Sequence, residues 1–150
     1  MDYKSILLPL VVGTGATICT IAVHGLAVAT VVRFVRHQRQ LGRAGGNFWG
    51  YLMIVAAVTL LALVAHLVEI ALWGALFAVC GDFPDFAAAF YHSAVDYTTL
   101  GDGNLAMPRI WRLLGPLEAA DGMLMFGLST AMIFAVVQRL VLKRFEDLRA

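Results

Sequence analysis

From Ile6 to Val32 the chain has no formally charged side chain. At 1.5 Å of rise per residue, a helix of that length crosses a hydrocarbon layer with some tilt. Two more apolar stretches follow. Phe48 to Val79 is interrupted only by His66 and Glu69. The last runs from about Leu113 to Leu142, with Glu118 and Asp121 in its first half and an apolar second half, Met123 to Val137. Of 150 residues, 61% are hydrophobic and 14% charged, more apolar surface than a soluble domain of this size could hide. The bilayer is therefore the solvent, and the expected fold is all-α and transmembrane with three spans. Phe48-Trp49-Gly50-Tyr51 reads as an aromatic belt at the start of the second span.

Charge sets the expected orientation. Arg33, Arg36, Arg39 and Arg43 fall in a stretch without an acid, read as a loop from Arg33 to Asn47, and Arg139, Lys143, Arg144 and Arg149 crowd the tail. Both belong on the cytoplasmic side. The region 81–104 holds Asp82, Asp85, Asp96 and Asp102 and no base, so it faces outward or lines an aqueous path. The N-terminus is then outside and the C-terminus inside. Because the arginines follow the first apolar run, it reads as an anchoring helix rather than a cleaved leader. Arg33, Arg36 and Arg39 recur every third residue, but at the end of their span, so they read as a topological anchor and not a voltage sensor.

Between the second and third spans the pattern changes. Asp82-Phe83-Pro84-Asp85 ends one helix and starts a short amphipathic one, Phe86 to Tyr97, with Asp82 as the expected N-cap and Pro84 near the first turn. Thr98-Thr99-Leu100-Gly101-Asp102-Gly103-Asn104 follows. Alternating small and glycine residues let a backbone run extended with its carbonyls turned to one side, glycine tolerating the positive φ this requires at Gly101 and Gly103. A ring of such carbonyls replaces the water shell of a cation. Irregular backbone of this kind cannot face lipid. The chain has a single such segment, so closing a ring takes several chains.

Residues 91–104, Tyr-His-Ser-Ala-Val-Asp-Tyr-Thr-Thr-Leu-Gly-Asp-Gly-Asn, resemble the pore helix and selectivity filter of the potassium-channel superfamily. The family pattern Thr-Val-Gly-Tyr-Gly-Asp reads here Thr99-Leu100-Gly101-Asp102-Gly103-Asn104, most similar to the bacterial non-selective sodium/potassium channels. The stretch Gly122 to Leu128 also resembles the family's inner helix, with Gly122 at the usual hinge glycine.

The resemblance implies three spans plus a re-entrant pore helix and filter, assembled as a symmetric homotetramer in a bacterial inner membrane. It divides the chain into an extra N-terminal helix with its basic loop (1–47), a two-span pore unit (48–142) and a short tail (143–150). It implies passive conduction of potassium and sodium, coordinated by the carbonyls of Thr99, Leu100, Gly101 and Asp102 and the Thr99 hydroxyl, with Gly103 completing the filter. In potassium-selective members of the family a tyrosine at the position matching Asp102 braces the upper filter, so the resemblance implies weak discrimination between the two ions here. A ring of Asp102 carboxylates is a further site for calcium at the outer mouth. The expected gate is a helix crossing around Phe134 to Gln138. The alternatives are a potassium-selective channel and a non-conducting scaffold or auxiliary subunit with the same fold.

Other residues carry two readings each. His66 and Glu69, at i and i+3, share a helix face and read as a pH-sensing pair or as a buried pair holding the assembly in register. Glu118 and Asp121 either attract cations or are structural, Glu118 bracing the short helix from behind and Arg109 and Arg112 joining the pair in a salt-bridge network. Asp96 is expected to find one of the same arginines. His24 reads as satisfied packing or as a proton site, and the first span as a lipid-facing helix outside the second. His92 reads as a titrating group near the outer mouth or as a polar residue at an interface, and Asp82 and Asp85 as a ring at the entrance or as solvated loop residues. Cys19 and Cys80 read as small hydrophobes without metal spacing. No phosphate-binding loop or nucleophile triad appears, so neither an enzyme nor a resident cofactor is expected. The only partners expected are identical subunits and lipid, with no nucleic acid.

Overall fold

The computed structural model describes residues 3–41, 48–81, 83–101 and 107–147. Four helices follow in order: α1 (Lys4–Gln40), α2 (Phe48–Cys80), α3 (Phe86–Tyr97) and α4 (Leu114–Asp147). No strand occurs among the described residues. Three helices are long and apolar enough to span a membrane: Ile6–Gln40, Phe48–Cys80 and Leu114–Leu142. Their outer faces carry Leu10, Val11, Leu26, Leu60, Val64 and Leu124, all exposed on the single chain and suited to lipid.

Two readings of local structure change. The basic stretch from Arg33 is helical as far as Gln40, because Arg, Gln and Val are compatible with a helix and nothing there breaks the pattern. The short helix begins one turn later than its expected cap. Asp85, in extended backbone, accepts a hydrogen bond from Ala88 N at 2.8 Å and is the N-cap of α3. Asp82 lies outside the described residues.

The helix α3 is only 12 residues long and sits between α2 and α4. Its buried face meets an apolar cluster of Ile70, Trp73, Phe77, Ala89, Tyr97, Met107, Leu114 and Met125. A second cluster, Val31, Ile54, Val58 and Leu140, joins the other ends of α1, α2 and α4. The helix α1 packs against α4 as well as α2, so it has an inward face besides the lipid-facing one expected of it. Its inward positions Gly13, Thr20, His24 and Val31 fall at helical spacing, and two of them are polar.

Close helix contact fixes one position in α4. A Cβ on Gly122 would stand 2.2 Å from the Tyr97 carbonyl oxygen. Only a residue without a side chain lets α4 approach the end of α3 so nearly.

Candidate functional site

The end of α3 carries the first part of the site. Leu100 N–H donates to Val95 O at 3.0 Å and Thr99 N–H to Asp96 O at 2.9 Å. This is the paired closure of a helix that turns through a left-handed residue, the place where glycine is usual. Here that residue is Thr99, with φ 59°, the one non-glycine residue of positive φ among those described. A β-branched residue in that region is strained by roughly 1–3 kcal/mol. Gly101 is also left-handed, with φ 70°, as glycine permits. Leu100 between them does not have positive φ, so the hand alternates over the three residues. Thr98 to Gly101 are all exposed on the single chain, Leu100 by 76%. Asp102, Gly103 and Asn104 lie outside the described residues.

Behind this segment is a set of buried polar side chains. Glu69 is fully buried. Its Oε1 lies 2.9 Å from His24 Nδ1. Its Oε2 accepts from the Tyr97 hydroxyl and lies 3.2 Å from His66 Nδ1. The His66 Nδ1 is also 2.9 Å from the Tyr97 hydroxyl. On their far sides the two rings meet one hydroxyl: Ser129 Oγ is 3.0 Å from His66 Nε2 and 3.3 Å from His24 Nε2. The expected His66–Glu69 pair is thus present, enlarged by a residue from every other helix.

His24, His66 and Glu69 bring three donor atoms within 4.8 Å of one another, a spacing a transition-metal ion could use. Every one of those atoms is engaged in the hydrogen bonds just described.

Glu118 and Asp121 are buried too, but each is held by its own partners. Ser93 Oγ contacts Glu118 Oε1 and also donates to Ile70 O at 2.7 Å. Thr20 donates to Asp121 Oδ2 at 2.7 Å and Trp73 Nε1 to the same oxygen at 2.9 Å. Among the described residues, Glu118 Oε2 and Asp121 Oδ1 are buried without a hydrogen bond. The expected network with Arg109 and Arg112 does not form. Both arginines are exposed, and the ion pairs among the described residues join histidine to acid. Nor does Asp96 find an arginine: its Oδ2 is 3.3 Å from His92 Nε2, close enough for an ion pair but without hydrogen-bond alignment. Burial pushes the Asp96 carboxyl above its ordinary range, and the His92 charge pulls it back. His92 is itself buried, its ring centroid 5.1 Å from those of both Phe77 and Phe83.

Tyr97, Ser129, Thr20, Trp73 and Ser93 are functional neighbours that the sequence reading missed. The usable signal was the pair Thr20 and His24, i and i+4 on an otherwise apolar helix. Tyr97 carries two roles: its hydroxyl holds Glu69, and its carbonyl faces Gly122.

A family model described as an ion channel matches residues 65–139, from the middle of α2 to the second half of α4 and half of the chain. No curated protein and no solved structure gives a match. The matched region contains α3 and the strained turn at Thr99. It excludes α1, which nonetheless supplies Thr20 and His24.

Proposed function

The chain belongs to the ion-channel family, and from that premise we propose that it conducts monovalent cations passively through a pore made by four identical chains. It is an integral membrane protein of three apolar helices. The ions pass along Thr99, Leu100, Gly101, Asp102 and Gly103, whose carbonyls stand in for water. Potassium and sodium both permeate, because Asp102 cannot brace the outer part of the filter as an aromatic ring would. A ring of Asp102 side chains also takes calcium at the outer mouth.

The observation that carries this reading is the left-handed Thr99 after α3. Strain of that kind persists only where the surroundings over-determine it, and it gathers at working sites. Alternating hand over Thr99, Leu100 and Gly101 turns successive peptide groups the same way, as a carbonyl-lined strand requires. Exposed backbone at Thr98–Gly101 is untenable against lipid, so further copies of the chain and water must enclose it. Closed rotational symmetry about one axis provides that enclosure. The N-terminus lies outside, the C-terminus inside, and Gly122 lets α4 bend towards a gate near Phe134 to Gln138.

Purified protein in liposomes, assayed for rubidium, potassium and sodium flux with and without calcium, tests the reading. Flux of both potassium and sodium, with calcium block, is expected. Potassium flux alone would point to a selective channel, and assembled protein without flux to a scaffold. Asp102→Tyr should move the bi-ionic reversal potential towards potassium, and no movement refutes the bracing argument.

A further inference from the structure

Five polar side chains, at least one from every helix, meet between the two apolar clusters: His24, His66, Glu69, Tyr97 and Ser129. Six contacts join them, and two of these, from His66 Nδ1 to the Tyr97 hydroxyl and to Glu69 Oε2, share one ring proton, which leaves five to be supplied separately. Glu69 meets His24 through Oε1 and Tyr97 through Oε2, His66 Nδ1 meets the Tyr97 hydroxyl, and Ser129 Oγ meets the Nε2 of both rings. Each of these five needs one proton between its two heavy atoms. A neutral imidazole brings one proton, a hydroxyl one, a carboxylate none. With Glu69 ionised and both rings neutral, the two rings and two hydroxyls supply four protons for five contacts. The shortage falls at Ser129, whose one proton serves one ring and leaves its lone pair facing the lone pair of the other.

We propose that these five residues form a binding site for one additional proton, and that this proton ties α4 to α1 and α2. It resides on the Nε2 of one ring, which donates to Ser129 Oγ while the serine donates to the other ring. Rotating the hydroxyl and moving the proton exchanges the two rings' roles.

The buried Glu69 carboxylate favours a positive charge beside it. Among the described residues the other buried acids are Asp121 on α4, held by Thr20 of α1 and Trp73 of α2, and Glu118 on α4, held by Ser93 of α3. His92 and Asp96 lie further back on α3, paired with each other. No Lys or Arg makes an ion pair with any of these acids among the described residues. Glu69 is fully buried and has no Lys or Arg partner among the described residues, so a proton bound beside its carboxylate offsets part of the cost of burying that charge. The Phe126 ring, its centroid 4.4 Å from that of His66, adds a face that attracts imidazolium. Losing the proton leaves a pair of facing lone pairs at Ser129, where α4 meets both rings. The hold of α1, the helix outside the family match, on α4 therefore depends on pH.

Solid-state nitrogen NMR of ¹⁵N-histidine protein in liposomes at neutral pH tests this, with the rings assigned by His24→Gln and His66→Gln. In the wild type, one imidazolium is expected for the two rings, localised or averaged over both. Ser129→Ala removes two contacts and one proton, so the rest are satisfied without the extra proton and the imidazolium signal should disappear. Ser129→Thr should restore it. Tyr97→Phe removes a hydroxyl, but His66 Nδ1 still reaches Glu69 Oε2 at 3.2 Å, so the shortage at Ser129 and the signal should both remain. Two neutral rings in the wild type, an imidazolium persisting in Ser129→Ala, or a metal-bound ring signature on adding zinc would each overturn the proposal. The spectrum does not depend on conduction, so absence of flux in the same liposomes would refute the channel reading and leave this one standing.

Discussion

Replacing Gly122 with alanine separates two roles for that residue. As a bending point in a continuous helix, glycine is the poorer helix former, and alanine should stabilise the folded protein by about 1 kcal/mol. As a close-contact point, the added methyl would lie 2.2 Å from the Tyr97 carbonyl oxygen and 3.0 Å from its carbon. Real contacts of this kind do not fall below 3.0 Å, so α4 and the end of α3 must separate by roughly 0.8 Å, the difference between 3.0 and 2.2 Å. The obstructing atoms are backbone and cannot rotate aside. Overpacking of this sort costs about 1–3 kcal/mol, so the net effect should be a loss of up to about 2 kcal/mol. The displacement also falls two residues before Thr99, so rubidium flux should drop together with stability. Thermal unfolding in detergent, the state of assembly and liposome flux measured on Gly122→Ala would read all three. A variant more stable than wild type, with normal assembly and altered gating alone, would refute the contact argument and favour the hinge.

Tyr97→Phe leaves Glu69 with its two histidines but without a hydroxyl donor, and should lower stability by about 1–3 kcal/mol, read by thermal melting. Asp85→Ala removes the side-chain cap of the 12-residue α3 and should cost about 1 kcal/mol, with Asp85→Asn close to wild type in the same melting assay. Asp96 is held above its ordinary carboxyl range by burial, so its protonated form is favoured in the folded state. Its contribution to stability is then full at low pH and lost as pH rises through the folded value, and Asp96→Asn should flatten that part of the stability–pH profile.

The run of uncharged residues after Ile6 and the two later apolar stretches were enough to fix three membrane helices, because helix length against bilayer thickness is a local property. The short helix Phe86–Tyr97 was equally readable, since its amphipathic period is confined to one segment. Its cap was not: Asp82 and Asp85 are both good capping residues, and only the backbone conformation chose Asp85. The stop at Arg33 failed for a similar reason, because charge marks a membrane boundary without ending a helix. His66 and Glu69 were visible as a pair from their spacing. Their union with His24, Tyr97 and Ser129 was not, for those residues lie 28 to 105 positions from their partners. Periodicity reports which way a side chain faces along its own helix. Which distant side chain it meets depends on how α1, α2, α3 and α4 pack, and so only the assembled helices could bring five polar groups together with one proton too few.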